Sequence, residues 1–598
     1  MQNQDIMERS NSSKVVIIGG GPAGLTAAYE LSKKGVESVV FEKDQAVGGI
    51  SKTVNYKDYH FDLGGHRFFT KVKKVDEMWR DVLRDDFIER KRLSRIYYNK
   101  KFFYYPLRPM NALLGLGVWN SFLIFTSYLY AHAFPSKEEE TFDQWVSNRF
   151  GERLYRTFFK TYTEKVWGIS CREIRAEWAA QRIKGLSLIS ALRNAIMSSQ
   201  GREGKQAVIK TLIDRFDYPK YGPGMMWQTV ADMVQKKGSK VLTGADVEGI
   251  LWDKERVNAV EISVDGRTER VRGDAFISSM PMRELIQKLR PRVPEAVLRA
   301  ADKLNYRDFL TVALIVNKRD VFPDNWIYIH DPGVKLGRIQ NFKNWSPYMV
   351  PDSEKTCLGL EYFCFEGDEL WSMSDQELIE LGKREVEELG LVEARDVVDG
   401  KVVRMPKAYP VYDSNYQESL RIIRQFLDQI GNLQIVGRNG MHKYNNQDHS
   451  MLTAMLAVEN LSGAKHNLWE VNEEQEYLEE KKAIPDETIV RAFSRMDKLG
   501  FATAIGSVAG MLMLIATLWL VIKGGEVIGP NLQLLGQYFI GYTVTVKGAF
   551  IGAAYSFVWA FLSGWLFAYL RNLSLAFFIY RAKRKAALLS FKDFLDHF

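Results

Sequence analysis

The sequence predicts an α/β fold in four parts: a parallel-sheet domain built from separated stretches, an inserted helical domain, an antiparallel-sheet domain, and a C-terminal two-helix transmembrane hairpin. Three observations carry this. Lys14 to Lys43 reads as strand, glycine turn, helix, strand. Short β runs recur between 240 and 364 and again at Leu433. Two uncharged runs, Leu499 to Ile522 and Ala549 to Leu570, close the chain.

Val15 to Ile18 is continuously apolar, as a strand buried on both faces should be. Gly19, Gly21 and Gly24 follow in G-x-G-x-x-G spacing, with Pro22 and Ala23 between them, and Leu25 to Leu31 has helical periodicity. Gly35 stops that helix, Val36 to Phe41 forms a second strand, and Glu42 and Lys43 end it. This is the Rossmann-type dinucleotide fingerprint in its required setting. Gly19 makes the turn, Gly21 admits a pyrophosphate, Gly24 packs helix on strand, and Glu42 can accept from a ribose hydroxyl. The fingerprint alone leaves a nicotinamide and a flavin both open.

At 598 residues the chain exceeds what one hydrophobic core supports. Its 46% hydrophobic content places it with folded proteins, and a net charge of +8 without a basic block before residue 580 argues against nucleic acid. Cys171, Cys357 and Cys364 have neither disulfide-framework nor metal-ligand spacing, which fits a reducing compartment. The polar start lacks a signal-peptide core, so the catalytic part is expected to face the cytosol.

In chain order, residues 1–13 read as a polar tail and 14–100 as the first part of the nucleotide-binding domain. Within it Gly48, Gly49, Gly64 and Gly65 mark close backbone approaches. Residues 101–235 are expected to be mainly helical, facing substrate or lipid. Their aromatic start, 101–134, predicts a buried or membrane-surface helix pair, with a membrane span as the alternative. Residues 236–300 return to strands as the second nucleotide-binding part, 301–430 form a substrate-binding sheet, and 431–470 close the nucleotide-binding domain. A linker, 471–498, leads to the hairpin, 499–570, and a basic amphipathic tail, 571–598. Gly506, Gly510, Gly552, Ala553, Ser563 and Gly564 suit close helix packing in lipid. Basic residues flank the hairpin (Arg491, Arg495 and Lys498 before, Arg571 to Lys585 after), which predicts both termini in the cytoplasm and an inner-membrane location.

Three motifs carry chemistry. In FDLGGHRFF, Gly64 and Gly65 let the chain pass a flat ring and leave His66 at its edge. Arg182 and Arg338 lie in apolar or aromatic surroundings, where a guanidinium suits phosphate oxygens. In IVGRNGMHKYNNQDHSMLTAMLAVENL a buried strand runs into Gly437 and Arg438, then a loop, then a helix that Asp448 or Ser450 would cap. A second strand–glycine–helix unit far from the first is what an FAD protein uses to close on its flavin.

These segments together resemble the FAD-dependent amine oxidase and protoporphyrinogen oxidase superfamily, and within it the UDP-galactopyranose mutase family, chiefly its eukaryotic-type branch. The similarity spans roughly 14–465 and is carried by FDLGGH, FFKTYTEKVWGI, NWIYIHDPGVKLGRIQNFKNWSPYM and GRNGMHKYNNQDHSMLTAMLAVEN. The loop between Tyr444 and Asn446 is shorter than the family's, the uridine-binding helical part is poorly matched, and the soluble mutases have no membrane hairpin. The resemblance implies FAD, active when reduced, held by Gly19, Gly21, Pro22, Ala23, Gly24, Glu42, Lys43, Gly49, Gly64, Gly65, His66, Val247, Gly437, Arg438, Asp448, Ser450 and Met451. It implies catalytic roles for His66, Arg182, Tyr328, Arg338, Tyr409, Tyr444 and Asn446, with Tyr328, Arg338 and Arg182 on the substrate's phosphates. The implied reaction interconverts pyranose and furanose forms of a phosphate-activated sugar, with N5 of reduced FAD as nucleophile at the anomeric carbon. The hairpin adds membrane lipid as a partner and puts a polyprenyl-phosphate carrier beside UDP as the sugar's carrier. A reductant such as NAD(P)H or a reductase is required, and the oligomeric state is left open. The alternative is an amine-oxidase-like or desaturase-like oxidoreductase with a membrane-resident substrate.

Overall fold

The computed structural model describes residues 14–105, 107, 109–136, 139–176, 215–472, 497–525 and 528–595. The chain divides into two compact units, Met1–Lys481 and Lys482–Phe598.

In the first unit, five parallel strands form a sheet in the order Leu433–Ile435, Ala275–Ser278, Val15–Ile18, Ser38–Phe41, Lys240–Leu242. Val15–Ile18 is the central strand and all four of its residues are buried, which is why its run has no polar alternation. Helices Pro22–Lys33, Lys73–Leu83, Pro223–Lys236 and Gln447–Leu461 cover the sheet and share its core. Trp79 and Trp227 meet there edge to face at 5.9 Å, and the Trp79 indole N–H donates to Met451 Sδ at 3.1 Å. Three stretches far apart in sequence are thus locked into one layer.

The second layer is a seven-stranded sheet in the order Val397–Pro410, Tyr306–Val316, Thr356–Cys364, Arg338–Asn341, Trp326–Ile329, Ser94–Tyr98, Lys101–Tyr104. Tyr306–Val316 is buried along its whole length. Leu310, Val312 and Leu314 pack under Leu378 and Val386 of helix Asp375–Glu388, while Ala313 and Ile315 face a cluster with Trp326, Phe342 and Trp345. The aromatic stretch from residue 101, expected as a helix pair, begins instead as a strand. Asn99 and Lys100 both adopt positive φ (49° and 58°), the geometry of a two-residue hairpin turn, and fold Lys101–Tyr104 back on Ser94–Tyr98. The helix pair follows as Pro109–Leu116 and Val118–Ala133, broken at Gly117 with φ +83°. Helices Phe142–Phe150 and Thr161–Trp167 pack beneath it around Phe103, Ile124, Phe158 and Trp167.

The second unit holds helices Lys498–Lys523 and Val546–Leu595, packed along each other. Both contain segments long and apolar enough to cross a membrane, with mean hydropathy 2.3 and 1.5. Small residues set their approach: a Cβ on Gly506 or Gly510 would lie 3.0 Å from the carbonyl oxygens of Phe557 and Ala553. The second helix does not stop at Leu570 but continues through most of the basic tail to Leu595.

Candidate active site

At the nucleotide end the chemistry is mostly backbone. Gly19 takes φ +101°, and a Cβ on Gly24 would run into the Gly19 carbonyl oxygen, so this turn can close only on glycine. Pro22 opens the helix at its first turn, leaving the N-terminal N–H groups free of side-chain caps. Glu42 accepts from Gly20 N at 2.6 Å and Asp44 N at 2.9 Å. Burial raises its pKa against the pull of those two N–H groups. A Cβ on Gly49 would lie 3.4 Å from Gly21 Cα, and one on Gly437 would lie 3.1 Å from Ala23 Cβ. Three glycine segments, two early and one late, therefore line one cradle, the fit that a long dinucleotide requires. Lys43 pairs with Asp246 at 3.2 Å, beside Val247, whose carbonyl accepts from Lys288 Nζ at 2.6 Å.

The other end is built from side chains across strands. Tyr328 and Arg338, ten residues apart in sequence, are direct partners in an antiparallel pair, and Arg338 is in turn the partner of Glu361. Direct partners share a face, so Tyr328, Arg338 and Glu361 form one row. Arg338 Nε donates to Glu361 Oε2 at 2.9 Å and its NH2 at 2.5 Å, while Gln340 donates to the other carboxylate oxygen. Glu361 is fully buried. Burial opposes the charge on Arg338, but the Glu361 carboxylate outweighs it and holds the guanidinium charged. Glu361 was missed by sequence reading; its signal is a lone acid in the otherwise apolar strand TCLGLEYFC.

His66 stands beside this row. A Cβ on Gly64, which has φ +101°, would lie 3.3 Å from His66 Cε1 and 3.8 Å from Arg338 NH2. Burial and the nearby Arg438 and Arg338 guanidiniums push the His66 pKa down to about 3, so the imidazole is neutral. Its Nδ1 and Gln340 Oε1 are buried without a hydrogen-bond partner among the described residues. A Cβ on Gly65 would be 3.6 Å from that Gln340 oxygen. Unsatisfied polar atoms and a glycine floor at one place suit the edge of a flat polar ring such as a flavin's, which offers both donors and acceptors.

Tyr409 and Tyr444 stack at 5.6 Å with 10° between planes, under Arg438 at 5.5 and 4.9 Å. Arg438 is positioned by the carbonyls of Asn445 (2.8 Å) and Ala408 (3.2 Å). Burial, then Tyr444, raise the Tyr409 pKa against the opposing effect of Arg338, so its hydroxyl stays protonated. Two further aromatics come from helix Thr161–Trp167. Trp167 lies 6.3 and 6.1 Å from Tyr409 and Tyr444, and Tyr162 meets Tyr328 edge to face at 5.4 Å and stacks on His330 at 4.7 Å. That helix is held at its C-terminal end by Arg307, which donates to the carbonyls of Lys165 (3.2 Å) and Val166 (3.1 Å).

The closing helix starts at Gln447, and its N-cap is Asn446, paired with His449 in a capping box. Neither Asp448 nor Ser450 caps it, because Asn446 already sits in the extended conformation one residue before the first turn. Asp448, Ser450 and Met451 lie buried in that first turn. Arg182 lies outside the described residues.

A family model for flavin containing amine oxidoreductase matches residues 22–446. L-amino-acid oxidase of Crotalus adamanteus is 35% identical over 114 residues, 17% of this chain and 22% of the oxidase. 1-Hydroxycarotenoid 3,4-desaturase of Flavobacterium sp. (strain P99-3) is 45% identical over 65 residues, 11% of this chain and 13% of the desaturase. The chain thus spans under a quarter of the length of these curated relatives. Among solved structures, reduced UDP-galactopyranose mutase superposes with a TM-score of 0.68 at 21% identity, covering 79% of this chain and 100% of that one. The CLA-producing fatty acid isomerase from P. acnes gives 0.50 at 13% identity, covering 76% and 99%. The chain belongs to the flavin containing amine oxidoreductase family, and its cofactor is FAD.

Proposed function

We propose that the chain is a membrane-anchored flavin-dependent mutase that interconverts pyranose and furanose forms of a phosphate-activated sugar. The observation that carries this reading is the row Tyr328–Arg338–Glu361 beside His66, with Arg438 over the tyrosine stack. Two guanidiniums against one carboxylate leave the site net positive, which favours an anionic substrate. When bound in its reduced form, FAD supplies the nucleophile, N5, for the anomeric carbon. The chain's own task is to hold the phosphate that departs and must return. Arg338, kept charged and aimed by Glu361, does this with the Tyr328 and Tyr409 hydroxyls, and Arg182 is assigned to the same phosphate from the family resemblance. Trp167 and the Tyr409–Tyr444 stack exclude water that would otherwise trap the activated sugar.

The two apolar C-terminal helices serve as the anchor, with the first unit and both termini in the cytoplasm. An anchored enzyme gains from a polyprenyl-phosphate carrier, although a UDP-sugar fits the same phosphate contacts. NAD(P)H or a reductase would supply the electrons that prime the flavin. The test is turnover followed by NMR of the anomeric signal, with lipid-linked and nucleotide sugars. Reduced enzyme should isomerise the substrate and oxidised enzyme should not. The local matches to an amino-acid oxidase and a carotenoid desaturase support a second reading, an oxidoreductase. Turnover that consumes an electron acceptor mole for mole would establish that reading and overturn the mutase.

A further inference from the structure

We propose that the helix pair Pro109–Leu116 and Val118–Ala133 is a bilayer-docking surface that rests in the headgroup region of an anionic membrane. The longer helix, VWNSFLIFTSYLYAHA, contains no Lys, Arg, Asp or Glu. Its outward face carries Trp119 (70% exposed), Phe122, Phe125, Leu129, Tyr130 (68%) and, at its end, Phe134 (69%). At about 100° per residue these six fall within one half of the helical wheel, and the buried Ile124 and Tyr128 fall in the other. Leu114 extends the exposed patch onto the shorter helix. Water is a costly neighbour for such a face, and Trp and Tyr beside Phe and Leu is the composition that prefers a membrane interface.

Three further observations select a bilayer over a second copy or a protein partner. The same chain carries two helices long and apolar enough to cross a membrane, and the anchor proposed for them would hold this surface near a bilayer. Cationic groups sit at the junction of the pair. Arg153 donates to Asn120 Oδ1 at 3.2 Å, Lys101 Nζ to the Gly115 carbonyl at 2.8 Å, and neither has a carboxylate partner among the described residues, which suits anionic headgroups. The inner face is also not an isolated patch: Ile124 belongs to the cluster of Phe103, Phe158 and Trp167, against which Tyr328, Tyr409 and Tyr444 pack. Seating the pair on lipid therefore places the candidate site one hydrophobic cluster from the headgroups. The proposal stands whichever reaction that site performs.

The three native cysteines are all buried, so a nitroxide can be directed to a single introduced cysteine in the full chain. Phe122→Cys and Leu129→Cys would be labelled, with Leu512→Cys in helix Lys498–Lys523 as the lipid reference and Gln376→Cys on the polar helix Asp375–Glu388 as the aqueous one. The full-length protein is reconstituted into nanodiscs containing phosphatidylglycerol, and collision rates with oxygen and with a water-soluble nickel chelate are read by EPR. Positions 122 and 129 should show an oxygen-to-nickel ratio several-fold above position 376 and closer to position 512. A ratio equal to that at 376 would overturn the proposal. So would low collision rates with both agents, because the face would then be covered by protein.

Discussion

The two ends of the candidate site are made in opposite ways. The nucleotide end is backbone: Gly19, Gly24, Gly49 and Gly437 approach so closely that a Cβ on any of them would strain the turn or touch a neighbour. The far end is side chain: His66, Tyr328, Arg338, Glu361, Tyr409 and Arg438 come from six segments, with Tyr328, Arg338 and Glu361 aligned by strand register. A cradle of main-chain donors recognises any pyrophosphate and ribose, so it is shared across reactions. A row of charged and phenolic groups is specific to one arrangement of substrate charge, so in the proposed reading the choice of substrate falls there.

The largest expected effect breaks the first end. Gly24→Val drives a side chain into the Gly19 carbonyl and Ile17, displacing the turn proposed to hold the phosphates. The purified variant should be folded but colourless, with no flavin absorbance and no turnover; full flavin occupancy would refute the cradle. The next separates the ends. Arg338→Ala should keep FAD yet lower kcat/KM by roughly 10²–10³-fold, the usual cost of one preorganised charge donor. It also leaves the buried Glu361 without a counter-charge, its one remaining side-chain donor being Gln340, at about 3–5 kcal/mol of stability. Adding Glu361→Gln should restore the thermal midpoint but not the activity. Recovery of both would reduce the row to a structural pair. A smaller effect follows from Tyr409→Phe, which preserves the stack and removes one hydroxyl. A loss of about 10–100-fold in kcat/KM is expected if that hydroxyl meets a phosphate, measured with flavin occupancy unchanged.

The same contrast explains what was legible in the sequence. The strand Val15–Ile18, its glycine turn and its helix were readable because their signal is local: four consecutive apolar residues, fixed glycine spacing and helical period. Arg338 could be marked by its apolar and aromatic surroundings, but Tyr328 only through a resemblance, since no periodicity shows that residues ten apart face each other across a hairpin. Glu361 shows as a lone acid in an apolar strand, but its partner is not legible, because Arg338 is 23 residues away in sequence and meets it through register alone. The strand Lys101–Tyr104 was read as helix because FFYY is apolar in either state, and the deciding turn rests on Asn99 and Lys100 at positive φ. Asn446 was passed over as a cap for Asp448 because both are good N-cap residues and only the backbone conformation chooses between them.

Acid should weaken the first unit through its buried imidazoles. Burial lowers His66 and His330 to about 3 and His442 to about 4, aided by Arg438 and Arg338 at His66 and by Lys165 at His330. In the unfolded chain each would take up a proton near pH 6.5. Between that pH and about 4 the unfolded chain therefore binds up to three more protons than the folded one, and stability held above pH 6.5 is lost on acidification. Asp62 works against this: burial raises it to about 7, so its contribution is present at low pH and declines as pH rises through 7. The three imidazoles carry the large downward shifts, and the carboxyls that burial raises, Asp62 with Glu42, Asp308, Asp324 and Glu385, offset part of the loss, at roughly 1.4 kcal/mol per pH unit for each unbalanced proton. The thermal midpoint should fall from pH 7 to pH 5, and His442→Gln, which removes one buried imidazole, should make that fall shallower by one proton. Glu42, its pKa raised by burial, has the opposite dependence, so an unchanged slope in His442→Gln would mean that the buried His442 imidazole contributes nothing to the acid response.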